Sequence, residues 1–416
     1  MILVLDFGSP YTQLIARRIR EEKVYCEIYP GNKSLGTIES LKDLKGIILS
    51  GSSKGSLRPD PKVRTLGVPV IEGSCFYPEV KNSKKNLQNF IFGECGLKRN
   101  WTMKAYIAGE IKRIKDQVGG GKVLCALSGG VDSSVAAVMV HKAIGNRLTC
   151  VYVDHGCQKL GENARVKKIF GKKFGKNLIM VDARKTFLGR LKGVTDPEQK
   201  RKIIGHTFIE VFDKEARKLK GIDFLLQGTI YPDIVESVPV KGKVAVKSHH
   251  NVGGLPEKMK MKLVEPLKFL FKDEVRVLGK ELGMSDEILK RQPFPGPGLA
   301  VRCIGEITEE KLQVLKEADF IFMQEIRKAG LYEKIWQSFA IILPVKTVGV
   351  KNDKRTYEHV IALRAVNSED AMTADWVKLP YELLGKVSSR IINEVKGANR
   401  VVYDISNKPP ATIEWE

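Results

Sequence analysis

A chain of 416 residues is too long for one ordinary core and predicts two or three domains. Its 43% hydrophobic and 28% charged residues suit a globular protein in water, and no apolar run nears the roughly 18 residues of a membrane span, so a helical membrane protein is excluded. The formal charge of +22 invites an acidic partner, but the lysines are spread along the chain without an aromatic-studded basic segment, so charge alone does not decide function. Cysteines stand at 26, 75, 95, 125, 150, 157 and 303, an odd number without CxxC spacing. That pattern argues against a disulfide framework or a zinc site and points to a reduced cytoplasm.

In chain order, Met1-Ile2-Leu3-Val4-Leu5-Asp6 is too short and too quickly acidic for a signal peptide and reads as a buried strand. A helix is predicted over about 10–22 from Ile15 and Ile19. The apolar runs 46–51 and 68–71, each with glycine or proline close by, read as further buried strands of a small α/β unit. Gly119-Gly120-Gly121 marks a turn. Strands at 122–127, 148–154, 178–181 and 224–227 then alternate with helices at 132–144, 162–174 and 198–219. Such alternation predicts a parallel sheet covered by helices, with ligands beyond the carboxyl ends of its strands. The stretch from about 237 to 263 has no period, and a loop that long is usually functional. After Phe294-Pro295-Gly296-Pro297-Gly298 comes an α+β zone, with helices near 308–328 and 380–395 and strands at 339–343 and 360–363.

The sharpest local signal is Ser128-Gly129-Gly130-Val131-Asp132-Ser133-Ser134, between a strand and a helix. The glycines let the backbone approach a ligand, the helix start offers unpaired N–H groups and partial positive charge, and the serines add hydroxyl donors. These features suit pyrophosphate, and Asp132 can hold Mg²⁺ beside it. No Walker A pattern occurs in the chain. The loop resembles the PP-loop of N-type ATP pyrophosphatases. Asp154 and the stretch Gly228 to Asp233 end later strands with carboxylates, as Mg²⁺–ATP contacts would; a turn-capping role for either aspartate is equally open.

Longer segments choose among PP-loop enzymes. These are residues 196–205, 227–233, 247–256, 263–267, 293–299 and the terminus Lys408-Pro409-Pro410-Ala411-Thr412-Ile413-Glu414-Trp415-Glu416. From residue 122 onward the chain resembles the GMP synthetases. The resemblance implies an α/β chain of three parts: a remnant amidotransferase-like domain (1–108), a parallel-sheet ATP pyrophosphatase domain (109–295) and an α+β dimerisation domain (296–416). It implies that XMP is activated by ATP and aminated by ammonia, that the protein is a cytoplasmic homodimer, and that it needs neither membrane nor nucleic acid. Residue by residue, Arg201, Gln337, Lys408, Thr412, Ile413 and Glu414 would meet XMP. Lys247, His249 and His250 would belong to a lid over the catalytic centre. The bare chemistry agrees, since Lys408 and Arg201 suit a phosphate monoester and Glu414 can accept from a purine N–H.

The first zone resembles a class I glutamine amidotransferase at residues 5–9, 11–18, 46–51, 67–70 and 75–80, but roughly half of a usual domain is missing. Glutamine hydrolysis in that family needs cysteine, histidine and glutamate. Here Tyr77 stands where a histidine should precede Pro78-Glu79, and all six histidines lie beyond residue 140. Cys75 aligns either with the nucleophile strand or with the closing segment. Tyrosine, with a pKa of about 10, is a poor base at neutral pH. The expectation is a dead glutaminase site at Cys75, Tyr77 and Glu79, with free ammonia or a separate glutaminase as the nitrogen source. Other departures from the family pattern are Pro10 (for Gln), His155 (for Asn), Lys159 (for Arg) and Gln292 (for His). The competing readings are another PP-loop enzyme, such as a tRNA thiolase or NAD synthetase, and a non-catalytic nucleotide- or nucleic-acid-binding paralogue.

Overall fold

The computed structural model describes residues 1–51, 59–237, 261–351, 353–368 and 371–416. Lys247, His249 and His250, with most of the expected lid, lie outside the described residues. The chain forms two compact units. One holds residues 1–117 with the described parts of 228–251 and residues 265–283; the other holds residues 118–227, 261–264 and 284–416.

The first unit is built on a parallel sheet of β1 (Ile2–Asp6), β2 (Cys26–Pro30), β3 (Gly46–Ser50) and β4 (Val70–Glu72), in the order β2-β1-β3-β4. Helical cover on both faces explains the unbroken apolar runs of β1 and β3, since neither face meets water. Ile2 and Val4 pack on Ile15, Ala16 and Ile19 of the helix Thr12–Glu21, while Leu3 and Leu5 face Ile38 and Val63. Two segments far away in sequence complete this unit. Tyr231 and Phe271 enter the same core, and the Tyr231 hydroxyl bonds the main chain of Ile28. Arg20, its side chain 3% exposed, lies between the rings of Tyr25 and Trp101, at 4.4 and 4.5 Å, and bonds both Glu274 oxygens at 3.2 and 3.3 Å.

The second unit carries a five-stranded parallel sheet in the order β7-β6-β5-β8-β9. Its strands are β5 (Lys122–Ala126), β6 (Leu148–Asp154), β7 (Leu178–Asp182), β8 (Ile222–Leu226) and β9 (Lys262–Val264). Expected strands and helices fall within a few residues of their predicted places. The helix Pro197–Lys218 starts as its sequence dictates: Asp196 accepts from the Gln199 amide at 2.7 Å and Pro197 occupies the first turn. The same core runs into the last zone, where Phe322, Ile342 and Leu363 join Leu124, Val151 and Phe212. There β10 (Gln337–Lys351) and β11 (Lys354–Asn367) form a long antiparallel pair, with β12 (Asp375–Trp376) antiparallel and β13 (Ala398–Tyr403) parallel to β11.

The hairpin is much longer than the strands expected at 339–343 and 360–363. Its outer half exposes Val345, Val348, Val350 and Tyr357 among lysines and threonines. Only the inner half has the continuous burial that makes a strand readable from hydrophobicity; backbone pairing sets the rest. Among the described residues no helix is long and apolar enough to cross a membrane.

Candidate active site

The phosphate loop bridges β5 and the helix Val131–Ile144. Leu127 donates to the Val151 carbonyl at 2.9 Å, which extends β5 to the loop's first residue. Ser128 Oγ accepts from the Gly130 amide at 3.2 Å and lies 2.8 Å from Ser133 Oγ, closing the turn on itself. Gly129 has φ +74°, and a Cβ there would stand 3.1 Å from Glu162 Oε1 and 3.2 Å from Val166, so only glycine fits without strain. The first-turn amides from Val131 onward begin the helix and are the groups that an anion meets. Ser134 contributes less than expected: its hydroxyl is sealed and its amide bonds the Gly130 carbonyl at 3.2 Å. Asp132 lies in the first helical turn, half-buried. One carboxylate beside a phosphate cradle suits magnesium, which keeps several waters and takes phosphate oxygens.

Sequence reasoning did not find the support behind this loop. Glu162, at the start of the helix Glu162–Phe174, pairs with Arg165 at 2.6 Å and with both nitrogens of Arg291 at 2.9 and 3.0 Å. Both guanidiniums also bond the Gly129 carbonyl, at 3.3 and 2.6 Å. Burial would raise the Glu162 pKa, but hydrogen bonds and charge from Arg165 and Arg291 hold it below the usual range. The carboxylate therefore stays ionised and fixes two arginines that pin the loop.

At the end of β6, Asp154 accepts from the Gly156 amide at 2.9 Å and from Asn163, and has Arg184 at 3.5 Å. Burial pushes the next residue, His155, down to about 4, so its imidazole is neutral at pH 7. Its Nδ1 accepts from the Cys157 amide at 3.3 Å. Two departures from the family pattern prove to be framework. Gln292 bonds Tyr332, Ile335 and Ser338 through its side chain, and Lys159 pairs with Asp319 at 3.1 Å. Gly228 and Asp233 belong to the first unit, where Asp233 Oδ2 accepts from the Ile230 amide at 3.0 Å.

The terminus is docked. Arg302 Nε and Nη2 bond the two Glu414 oxygens at 2.9 and 2.8 Å, and Gln337 Nε2 adds a bond to Oε1 at 2.9 Å. Arg364 Nε donates to the Ile413 carbonyl at 2.8 Å and Nη2 to that of Thr412 at 2.9 Å, while its Nη1 bonds Asp404 at 2.6 Å. Lys200, wholly buried, bonds the Glu416 carboxylate and the Cys303 carbonyl. Arg201 Nη2 donates to the Glu416 main-chain carbonyl at 2.5 Å, and Lys408 Nζ to that of Ala371 at 2.8 Å. Ile413 is buried against Phe339 and Ile341. The structure thus brings Arg201, Gln337, Thr412, Ile413 and Glu414 into one network. Arg302, Arg364 and Lys200 were missed. Arg302 and Arg364 each stand inside an apolar run, Leu299-Ala300-Val301-Arg302-Cys303 and Ala362-Leu363-Arg364-Ala365-Val366. A lone charge in such a run must have a buried partner, and that was the available signal.

In the first unit, Cys75 is a half-buried free thiol in the short turn Gly73–Phe76 after β4. The Tyr77 hydroxyl lies 3.0 Å from Ser9 Oγ, its ring 4.5 Å from that of Tyr11, and Glu79 is exposed.

The parallel sheet with its Ser-Gly-Gly loop, followed by an α+β region with a docked terminus, defines a PP-loop enzyme of the ATP pyrophosphatase class. Residues 121–169 match the family described as tRNA methyl transferase HUP domain, and residues 324–415 match the GMP synthase C terminal domain. The chain belongs to the GMP synthase family. It is 49% identical to the glutamine-hydrolyzing GMP synthase of Carboxydothermus hydrogenoformans, with 100% of this chain and 99% of the relative covered. A glutamine-hydrolyzing GMP synthase of Clostridium botulinum is 48% identical over the same shares, and that of Clostridium novyi 49%. The alignment to the Carboxydothermus protein runs over 508 positions against 416 residues here, so 92 positions have no counterpart in this chain. A solved structure, NMN synthetase from Francisella tularensis, aligns over 48% of this chain and 79% of its own at TM-score 0.38 and 16% identity, too distant to carry weight.

Proposed function

We propose that this chain converts XMP to GMP with ATP and ammonia, releasing AMP and pyrophosphate. The observation that carries the reading is the pairing, in one compact unit, of an intact phosphate loop with a docked Thr412–Glu414 segment and its arginines. The chemistry answers a leaving-group problem. The oxygen on purine carbon 2 does not leave as hydroxide, so it attacks the α-phosphorus of ATP and forms an adenyl ester. The P–O bond to pyrophosphate breaks in the same step. Ammonia then adds at carbon 2, AMP departs with the oxygen, and a proton is lost from nitrogen.

The protein's part is positioning and charge neutralisation. Ser128, Gly129, Gly130, Val131 and Ser133 are assigned to the pyrophosphate, with Ser134 framing the helix start. Asp132 is assigned to Mg²⁺, which supplies charge neutralisation on the phosphates. Asp154 is assigned to the ATP contacts as well, whereas Gly228 and Asp233 belong to the other compact unit. Arg201 and Lys408 take the XMP phosphate by exchanging their main-chain partners for it; Gln337 and Glu414 face the base. Lys247, His249 and His250 are assigned to the lid by resemblance alone. The three-part division at residues 108 and 295, the homodimer and a cytoplasmic location belong to the same reading.

The nitrogen comes from free ammonia or a separate glutaminase. Tyr77, which stands where the histidine is expected, is hydrogen-bonded to Ser9, and Glu79 is exposed. The test is incubation with ATP, Mg²⁺ and XMP, with ammonium or glutamine, following GMP and AMP. GMP with ammonium alone is expected. GMP from glutamine would refute the loss of the glutaminase, and no AMP under either condition would refute the synthetase.

A further inference from the structure

Arg302 closes the short turn Gly298–Arg302, which the Pro-Gly-Pro-Gly segment brings against β6. Gly298 has φ +66°, a Cβ there would fall on the Cys157 carbonyl, and Leu299 donates to that carbonyl at 2.7 Å. The Arg302 side chain is 1% exposed, with its guanidinium over the Phe339 ring at 3.9 Å and over Phe294 at 5.2 Å. Ring contacts and packing therefore hold the guanidinium plane before any carboxylate is counted.

An ionised carboxylate offers about four acceptor positions. In Glu414, Oε1 accepts from Arg302 Nη2 and Gln337 Nε2, and Oε2 accepts from Arg302 Nε. About one position remains, on Oε2. Gln337 spends its other amide hydrogen on the Pro293 carbonyl at 3.2 Å, so its side-chain oxygen is left as an acceptor. The docking of the terminus does not need Arg302, because Arg364 already holds the main chain at Thr412 and Ile413. Among the described residues Arg302 Nη1 is buried without a hydrogen-bond partner, a cost that an apolar residue of similar size would not carry. Its gain is orientation.

We infer that Arg302 is a positioning residue for substrate recognition: it holds the Glu414 carboxylate in one orientation, with one acceptor position turned to a ring N–H of the purine. The inference rests on the reading of this site as an XMP site. Glu414 touches the base, and Arg302 acts through it.

The test uses the full chain as wild type, R302K, E414Q and the double variant. Calorimetry gives Kd for XMP, steady-state rates with saturating ammonium give kcat and both KM values, and melting gives Tm. R302K keeps the charge but loses the fork. It is expected to raise Kd and KM for XMP about tenfold, with KM for ATP within about twofold. E414Q should do the same, and the double variant should be no worse than E414Q alone, because the two residues act as one device. Phe339→Leu removes the ring beneath the guanidinium and no hydrogen bond; it should raise Kd for XMP about threefold and serves if R302K fails to fold. Unchanged XMP affinity in R302K or F339L, a lower Tm notwithstanding, overturns the inference, and so does a double variant whose losses multiply. Wild-type protein that does not bind XMP overturns the proposed function itself, whereas wild-type binding with indifferent variants sinks only the role of Arg302.

Discussion

Single residues in this molecule are fixed by what stands behind them. Gly129 shows it best. Its positive φ and the nearness of Glu162 and Val166 leave no room for a side chain, and its carbonyl is held by Arg165 and Arg291. Gly129→Ala should destabilise the protein by about 1–2 kcal/mol through left-handed strain. It should also raise KM for ATP about tenfold, because the loop must shift to admit the methyl group. Denaturant unfolding and XMP-dependent AMP release measure the two effects; a variant with wild-type ATP kinetics would remove the loop from the ATP site. The seven residues of the loop were legible because they are contiguous and lie between an apolar strand and a helix. The arginines behind the loop were not legible. Glu162 and Arg291 are far apart in sequence, and nothing local says that they meet.

At the scale of elements, most helices and strands of the second unit followed from periodicity, but the helices Met103–Val118 and Lys272–Glu281 and all strand-pairing partners did not. The helix Thr12–Glu21 and the helix Lys272–Glu281 lie some 250 residues apart and meet through Arg20 and Glu274 in a nearly dry site. Trp101 Nε1 and the Phe271 amide also bond Glu274. Arg20→Met leaves that carboxylate buried without its cation and should cost about 3–5 kcal/mol. The double change R20M/E274M should recover much of the loss, since it removes the stranded charge as well. Urea unfolding of the three proteins checks this, and an R20M protein as stable as wild type would show that the pair contributes nothing. The β10–β11 hairpin makes the same point about length. Its inner half was visible as buried apolar residues, and its outer half exists only because each strand pairs with the other.

On the function proposed above, the whole molecule keeps a domain that has lost its chemistry. The first unit keeps a four-stranded parallel sheet with an apolar cluster on each face, while the alignment to a relative leaves 92 positions without a counterpart somewhere in this chain. A single residue should therefore not restore glutaminase activity. Tyr77→His supplies an imidazole at the expected place, yet Glu79 is exposed and Cys75 lies half-buried in a short turn. GMP formation by Y77H with glutamine should stay at background, and with ammonium at the wild-type rate. Glutamine-dependent GMP from Y77H would show that the site was one residue from working.

The sequence by itself determined the fold class, the phosphate-loop motif, the family resemblance and the lack of any histidine in the first 140 residues. All of these are local: periodicity, turn chemistry and contiguous motifs need no knowledge of what packs where. Only the tertiary structure decided that Arg302 and Arg364 hold the terminus, that Glu162 anchors the loop, and that segments around Tyr231 and Glu274 share a core with the first domain. Those facts depend on charges buried next to residues distant in sequence. A buried charge must find a partner, but which partner it finds is set by how the chain folds back on itself.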